Sequence, residues 1–435
     1  MSRRESLDWI DNLPAEWSAV QLKYLLVSGN DAMKVGPFGT QLSGNDFTDD
    51  GYWVYNQRTV VDQNFEDNNT FVSEEKYNAM KSFQVEAGDI LITTRGTIGR
   101  ICKVPEHFHR GIIHPCIIKF RIDENKILYD LVRLLFNESD MIKEQLVYMS
   151  NATTIDVVYS GPLKNVFIPV APIKTQRSIS AYLDAKCSEI DALTADIQSQ
   201  IDTLEQYKRS VITEAVTKGL EKDVEMKESG SQYWGDIPVK WDIVDIKYLF
   251  EIVKRIAGHE GYDILSITQH GIKVRDTSKN EGQVAADYSN YQFLYPGEYA
   301  MNHMDLLTGW VDLSDKFGVT SPDYRVFRLR DTKRNSRRYY KYIMQICYMC
   351  KIFYSLGNGV SNLGRWRLQT SSFNNFKVPV PPYEEQEEIS DYLDAKIREI
   401  EATIELKNEQ LSTLDLFKKS LIYEYVTGKK EVPAV

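Results

Sequence analysis

Apolar residues recur every seven positions in two stretches of the chain. In the first, Leu183, Ile190, Ile197, Leu204 and Val211 mark the period, with Ile179, Leu193 and Ile201 at neighbouring seam positions. In the second, Leu393, Ile400, Leu414 and Leu421 fill the same slots and Lys407 interrupts them. Sustained heptads predict long coiled-coil helices rather than helices that only cap a globular core. Each stretch begins after proline-rich text, APIKTQ and PPYEEQEE, where proline closes an extended segment and carboxylates suit a helix N-terminus. A helix of some 40 residues is a rod of roughly 60 Å. The segments before each rod are rich in Tyr, Thr, Val, Ile and Phe, with alternating patterns and frequent turn pairs, which predicts mixed sheet and helix with many loops.

The two rods are one text written twice. Between Pro169 and Thr217 and the residues 210 further on, 23 of 49 positions are identical without a gap, where chance gives roughly three. A fainter echo opens each half: LPAEWSAVQLKYL, Leu13 to Leu25, matches IPVKWDIVDIKYL, Ile237 to Leu249. The bodies between these markers hardly match. The layout is a constant lead-in, a variable body and a constant tail, twice over. The first helix carries the chain into the second body and the second helix leaves it. If the halves obey an approximate twofold, the helices run antiparallel. The expected fold is α+β: two α/β domains separated by two long helices forming an antiparallel coiled coil, a pseudo-twofold internal repeat. The expected boundaries are 1–165 for the first domain, 166–220 for the first helical spacer, 221–235 for a linker, 236–376 for the second domain and 377–435 for the second helical spacer.

Composition narrows the classes. The 435 residues are 43% hydrophobic and 26% charged, as in an ordinary globular protein. No apolar segment follows MSRRESLDWI and no apolar run is of membrane length, so the expected location is the cytoplasm. Five scattered cysteines suit reduced thiols. The net charge of −10 divides as −6 for residues 1–165, −3 for 166–235, +4 for 236–376 and −5 for 377–435. The acidic tails are expected to face a protein partner rather than phosphate. The basic excess lies in YRVFRLRDTKRNSRRYYK, Tyr324 to Lys341, which reads either as a solvated surface or as a phosphate-neutralising one.

Catalytic signals are weak. Pro381-Pro382-Tyr383 has the look of an adenine methyltransferase clamp, but Val380 offers no acceptor for the target amino group, and the repeat partner of this text is APIK. There is no G-x-x-x-x-G-K-[ST] loop. Cys347-x-x-Cys350 has no second pair, and His107, His109 and His114 lack ligand spacing, so no metal site is expected. Two glycine-bearing stretches of the first body, KVGPFGTQL and AGDILITTRGTIGR, are more suggestive, and PGEYAMNHM stands in the place of AGDILITTR in the second. Gly-Asp before an apolar run reads as a hairpin turn. The hydroxyls and guanidinium that follow it suit contact with phosphate or a base edge.

Taken together, the lead-ins Leu13-Pro14-x-x-Trp17 and Ile237-Pro238-x-x-Trp241, the loops Gly36-Pro37-Phe38-Gly39-Thr40-x-Leu42 and Gly88-Asp89-Ile90-Leu91 with Arg95-Gly96-Thr97-Ile98-Gly99, and the tails Pro169-Val170-x-Pro172-x-x-x-Gln176 and Pro379-Val380-Pro381-Pro382-x-x-x-Gln386 resemble the DNA-specificity subunit of type I restriction-modification systems. The resemblance spans nearly the whole chain. It departs at Ala171, where a second proline is usual, and in the second body, which lacks the Gly-Pro-Phe-Gly loop. It implies two target recognition domains, each reading half of a split site in double-stranded DNA. It also implies two copies of a methyltransferase subunit as partners, with S-adenosylmethionine on that partner and no cofactor or catalytic residue in this chain. Whether restriction subunits join is left open. On this view the expected DNA contacts are Lys34, Gly36, Phe38, Thr40, Arg58, Thr94, Arg95 and Thr97 in the first body. In the second they are Lys254, Arg255, His270, Lys273, Arg275, His303, Arg325, Arg328, Arg334, Arg337, Arg338, Arg365 and Arg367. The alternative reading is a standalone nuclease or methyltransferase built on the same repeat.

Overall fold

A computed structural model describes residues 7–29, 32–39, 41–150, 157–276, 287–358 and 366–433. The heptad stretches form a first long helix, Ile173–Lys218, and a second, Tyr383–Val426. The chain divides into two units, one of Met1–Ile197 with Glu409–Val435 and one of Gln198–Asn408, so each long helix contributes to both. In the first unit the start of the first helix lies against the end of the second: the Tyr182 and Tyr425 hydroxyls are 3.3 Å apart, and Lys418 bridges Asp191 at 2.8 Å and Glu138 at 2.9 Å. In the second unit Lys208 pairs with Glu401 at 2.7 Å and Lys407 donates to Gln200. Residue numbers rise along one helix as they fall along the other, which makes the pair antiparallel within each unit.

The period of seven holds. Leu183, Ile190, Ile197, Val211, Leu393, Ile400 and Leu421 are buried, and Leu204 and Leu414 are partly so. Leu193, expected at the seam, is 48% exposed. The second row of the seam runs four residues after the first, through Cys187, Ile201 and Ala215 and through Ile397 and Tyr425, and Leu193 falls one position short of it. Lys208 and Lys418 stand in that row and meet carboxylates there. Such polar seam positions specify register at some cost in stability.

The two bodies share a sheet that their sequences do not announce. In the first unit β1 (Met33–Val35), β2 (Ile90–Thr93), β3 (Ile101–Lys103) and β4 (Ile117–Phe120) form an antiparallel sheet in the order β1-β4-β2-β3. In the second, β5 (Phe250–Val253), β6 (Tyr299–Met301), β7 (Val311–Leu313) and β8 (Arg325–Leu329) repeat it as β5-β8-β6-β7. The turn that feeds each central strand is built alike. Asp89 and Glu298 are buried carboxylates that accept from the backbone N–H three residues earlier, Glu86 at 2.9 Å and Tyr295 at 3.1 Å, and each pairs with an arginine, Arg121 at 2.7 Å and Arg255. AGDIL and PGEYA are therefore one hairpin device. A parallel pairing recurs beside each sheet, Val54 with Ile112 in the first unit and Ile264 with Val319 in the second.

The repeated text around these bodies locks each one to a helix. Ser18–Gln21 pairs with Phe167–Val170, and Asp242–Asp245 with Lys377–Val380, so start and end of each body lie side by side. The repeated glutamine then reaches the body helix, α1 (Tyr129–Arg133) or α2 (Arg337–Met349). Gln176 accepts from the Leu128 N–H at 2.9 Å and donates to the carbonyls of Lys126 and Ala171. Gln386 accepts from the Ser336 N–H at 2.8 Å and donates to those of Arg334 and Pro381. Leu128 precedes α1 and Ser336 precedes α2, so each glutamine ties the start of its own body helix to the residues just before its own long helix. The repeated aspartates do likewise: Asp184 pairs with Arg133, and Asp394 with Arg338 and Lys341.

Candidate nucleic-acid interface

In the first unit, loops gather at the end of the sheet where β1 and β2 finish and β4 begins. The Gly36 N–H donates to the Ile117 carbonyl at 2.8 Å, and a Cβ on Gly36 would come within 2.3 Å of the His114 carbonyl oxygen, so only glycine fits this approach. Thr94 is buried and donates its hydroxyl to the Cys116 carbonyl at 2.9 Å. Beyond it Arg95, Gly96 and Thr97 are exposed. Their loop is braced by the Gln57 amide, which donates to the Arg95 carbonyl at 2.9 Å and accepts from the Thr97 N–H at 2.8 Å in the orientation that satisfies both atoms. Gly96 turns at φ 66° against that amide. The resulting rim presents Phe38, 74% exposed and free of ring partners among the described residues, together with Arg95, Thr97 and Arg58. Arg58 lies 3.4 Å from Asp62 on the helix that Gln57 begins.

The same end of the sheet in the second unit carries a denser positive cluster. His303 follows β6 at the position Thr94 holds after β2, and the Leu368 N–H reaches its carbonyl at 2.9 Å as the Val158 N–H reaches that of Thr94. The His303 Nδ1 atom is buried without a hydrogen-bond partner. Burial and the charges of Arg325, Arg367 and Lys254 hold this imidazole down at about 4, so it is neutral at ordinary pH. Lys254 and Arg367 are exposed beside it. Arg325 forms the floor: it is 4% exposed, donates to the Leu368 carbonyl at 3.0 Å, stacks on Phe373 at 4.6 Å and is pushed down to about 10 by burial.

The remaining sequence-derived residues are dispersed. Lys34 turns its ammonium over the Phe83 ring at 5.0 Å, and the Arg255 guanidinium sits on Glu298 and over Tyr295. His270 and Lys273 are exposed on the hairpin of Leu265–Thr268 and Gly271–Val274, and the Arg275 N–H donates to Ile264 just after it. Thr40 and Arg365 lie outside the described residues.

The basic run from Tyr324 to Lys341 is not one surface, because it leaves a strand and enters a helix. Arg325 points inward, Arg328 crosses to Glu251 at 3.0 Å, Arg334 is exposed near Asp331, and Arg337 packs on Gly297. Arg338 is held by Glu387, Asp391 and Asp394 of the second long helix, at 2.5, 2.6 and 3.0 Å. The acidic text PPYEEQEE is likewise half engaged within its own unit: Glu385 accepts from the Trp241 indole at 2.9 Å and Glu387 takes Arg338, leaving Glu384 and Glu388 exposed.

Sequence reasoning missed Gln57 and the loop Asp305–Thr308. In that loop Asp305 accepts from the Leu307 and Thr308 N–H groups at 3.0 Å and leaves Leu307 exposed. Asp followed by Gly309 four residues on was the available turn signal.

Two segments of the chain, residues 35–203 and 238–411, match the family described as type I restriction modification DNA specificity domain. The chain is 24% identical over 97% of its length to a Methanocaldococcus jannaschii protein provisionally named the type I restriction enzyme MjaX specificity subunit, covering 96% of that protein. It is 23% identical to the MjaVIII specificity subunit of the same organism, over 74% of this chain and 75% of that one. A chain solved in work on complex assembly and conformational transition of the type I R-M system shares the fold, with a TM-score of 0.67 at 17% identity, over 96% of this chain and 99% of that one. Among the described residues no helix is long and apolar enough to cross a membrane. With family domains on both halves of the repeat, the chain belongs to the DNA-specificity subunits of type I restriction-modification systems, whose part is to recognise DNA rather than to catalyse.

Proposed function

We propose that the chain reads a bipartite DNA target, one half-site per unit, and positions two copies of a methyltransferase subunit on it. S-adenosylmethionine and the target-base clamp belong to that partner, and motor-nuclease subunits join in a complete restriction system. One observation carries this reading. Two bodies with little sequence in common present loops from the same end of the same four-stranded sheet, and those loops hold the exposed Arg95 and Thr97 in one unit and Lys254, Arg367 and the neutral His303 in the other. Guanidinium and hydroxyl groups suit base edges and phosphates. A neutral imidazole can donate or accept but adds no charge that every sequence would attract equally.

Replacing Arg95 and Thr97 by alanine should relax the sequence preference of one half-site and weaken binding about 10- to 100-fold. His303→Gln with Arg367→Ala should do the same at the other half-site alone. Binding to randomised half-sites reads both outcomes. A preference shift at the same half-site in both variants would rule out one reader per unit.

A further inference from the structure

The lead-in repeat carries an exposed constellation that DNA reading does not use. Tyr24 and Tyr248 occupy matching places in the text LKYL and IKYL and are 62% and 68% exposed. Beside each, a lysine lies over the ring, Lys23 at 5.0 Å and Lys247 at 5.1 Å. The same lysines donate to matching asparagines, Lys23 to Asn165 at 3.0 Å and Lys247 to Asn375 at 3.1 Å, and Lys247 also pairs with Asp245 at 2.8 Å. The backbone beneath is pinned in both copies. Leu22 and Ile246 donate to the carbonyls of Val166 and Phe376 at 2.9 Å, Lys126 reaches the Tyr24 carbonyl at 3.3 Å, and Arg330 reaches that of Lys247 at 3.2 Å.

Each spot lies at the end of its sheet away from the reading loops. The Asp123 N–H meets the Leu25 carbonyl beyond the end of β4, whereas the reading loops adjoin Ile117 at its start. The Arg330 N–H meets the Leu249 carbonyl beyond the end of β8, whereas Arg325 at its start lies on the reading side. Five or six residues of strand separate the two ends, roughly 15 to 20 Å.

Folding alone does not require a solvent-facing tyrosine with a cation against its face, yet the lead-in text presents one in both halves. A rigid, exposed aromatic with a charged neighbour has the character of an interface anchor. Two copies of one anchor fit two copies of one partner surface. We propose that Tyr24 and Tyr248, each with a lysine against its ring, are twin docking anchors for one protein species bound twice, its docking face apolar. This rests on the reading that the methyltransferase subunit binds in two copies, and it assigns that subunit to the anchors.

The test uses the full chain and the methyltransferase subunit encoded with it. Stoichiometry is read by light scattering after size exclusion, and affinity by titration. Tyr24→Ala should weaken one of two bound copies about 30-fold, Tyr248→Ala the other, and the double variant both. Thermal unfolding of the chain and its affinity for DNA should remain unchanged. Two copies bound at full affinity by the double variant would overturn the anchors while leaving the two-copy reading intact. Wild-type chain that binds fewer than two copies would overturn the reading and the anchors with it. Weakened DNA binding by the chain alone would assign the tyrosines to nucleic acid and overturn the proposal.

Discussion

Inserting one heptad after Gln198 in the first long helix and a matching heptad after Asn408 in the second should lengthen the unspecific gap of the DNA target by about three base pairs. Seven residues add about 10 Å of helix, against roughly 3.4 Å per base pair. Both insertions are needed because the helices are read against each other. Asp191 meets Lys418, Gln200 meets Lys407 and Glu401 meets Lys208, so a residue added to one helix alone misaligns every pairing on one side of it. A single insertion should therefore cost affinity and blur the gap, whereas the paired one keeps the seam in phase. The half-site sequences themselves should not change. Methylation mapping of the two variants checks this, and an unchanged gap in the paired variant would separate gap length from the helices.

Gln386→Leu should destabilise the second unit by about 3 kcal/mol. The side chain is fully buried, and its amide serves the Ser336 N–H ahead of α2 and the carbonyls of Pro381 and Arg334. Leucine matches the volume but leaves at least two buried backbone groups without partners, at about 1 to 3 kcal/mol each. Gln176→Leu should act in the same way on the first unit, through Leu128, Lys126 and Ala171. Urea unfolding followed separately in each unit reads the effect. A loss below about 1 kcal/mol in both variants would show that the strand pairing of lead-in and tail suffices to hold body to helix.

These two glutamines show how much of the protein could be read from its text. Their repetition was visible, as were the heptads of Leu183 to Val211 and Leu393 to Leu421, because a rod has one period and few exceptions. The purpose of Gln176 and Gln386 was not visible, since the partners that tie them to the bodies are backbone atoms about 50 residues away whose side chains do not matter. The common sheet of the two bodies was hidden for a related reason. Its strands are three to five residues long, too short for periodicity to speak, and the devices that repeat, such as Asp89 with Arg121 and Glu298 with Arg255, use different residues at different separations. Leu193 shows the limit even within a rod: the seven-residue period is clear, but which neighbouring row completes the seam depends on the partner helix.

The candidate site was partly legible. Glycine before hydroxyl and guanidinium pointed to Arg95 and Thr97, which do stand at the rim. Charge counting pointed to the run from Tyr324 to Lys341, yet charge says nothing of direction: Arg325 lies in the core and Arg338 is held by three carboxylates. His303 is among the contacts expected of the second body. Its setting, an unpartnered ring nitrogen among Lys254, Arg325 and Arg367, comes from loops far apart in the chain.

The central claim is that each unit reads its own half of the target. Its most direct test replaces residues 1–165 with the corresponding segment of another specificity subunit of known target and maps the methylated sites of the resulting complex. The account predicts a hybrid site, with one half-site taken from the donor and the other half-site and the gap retained. Loss of both original half-sites, or retention of both, would contradict it.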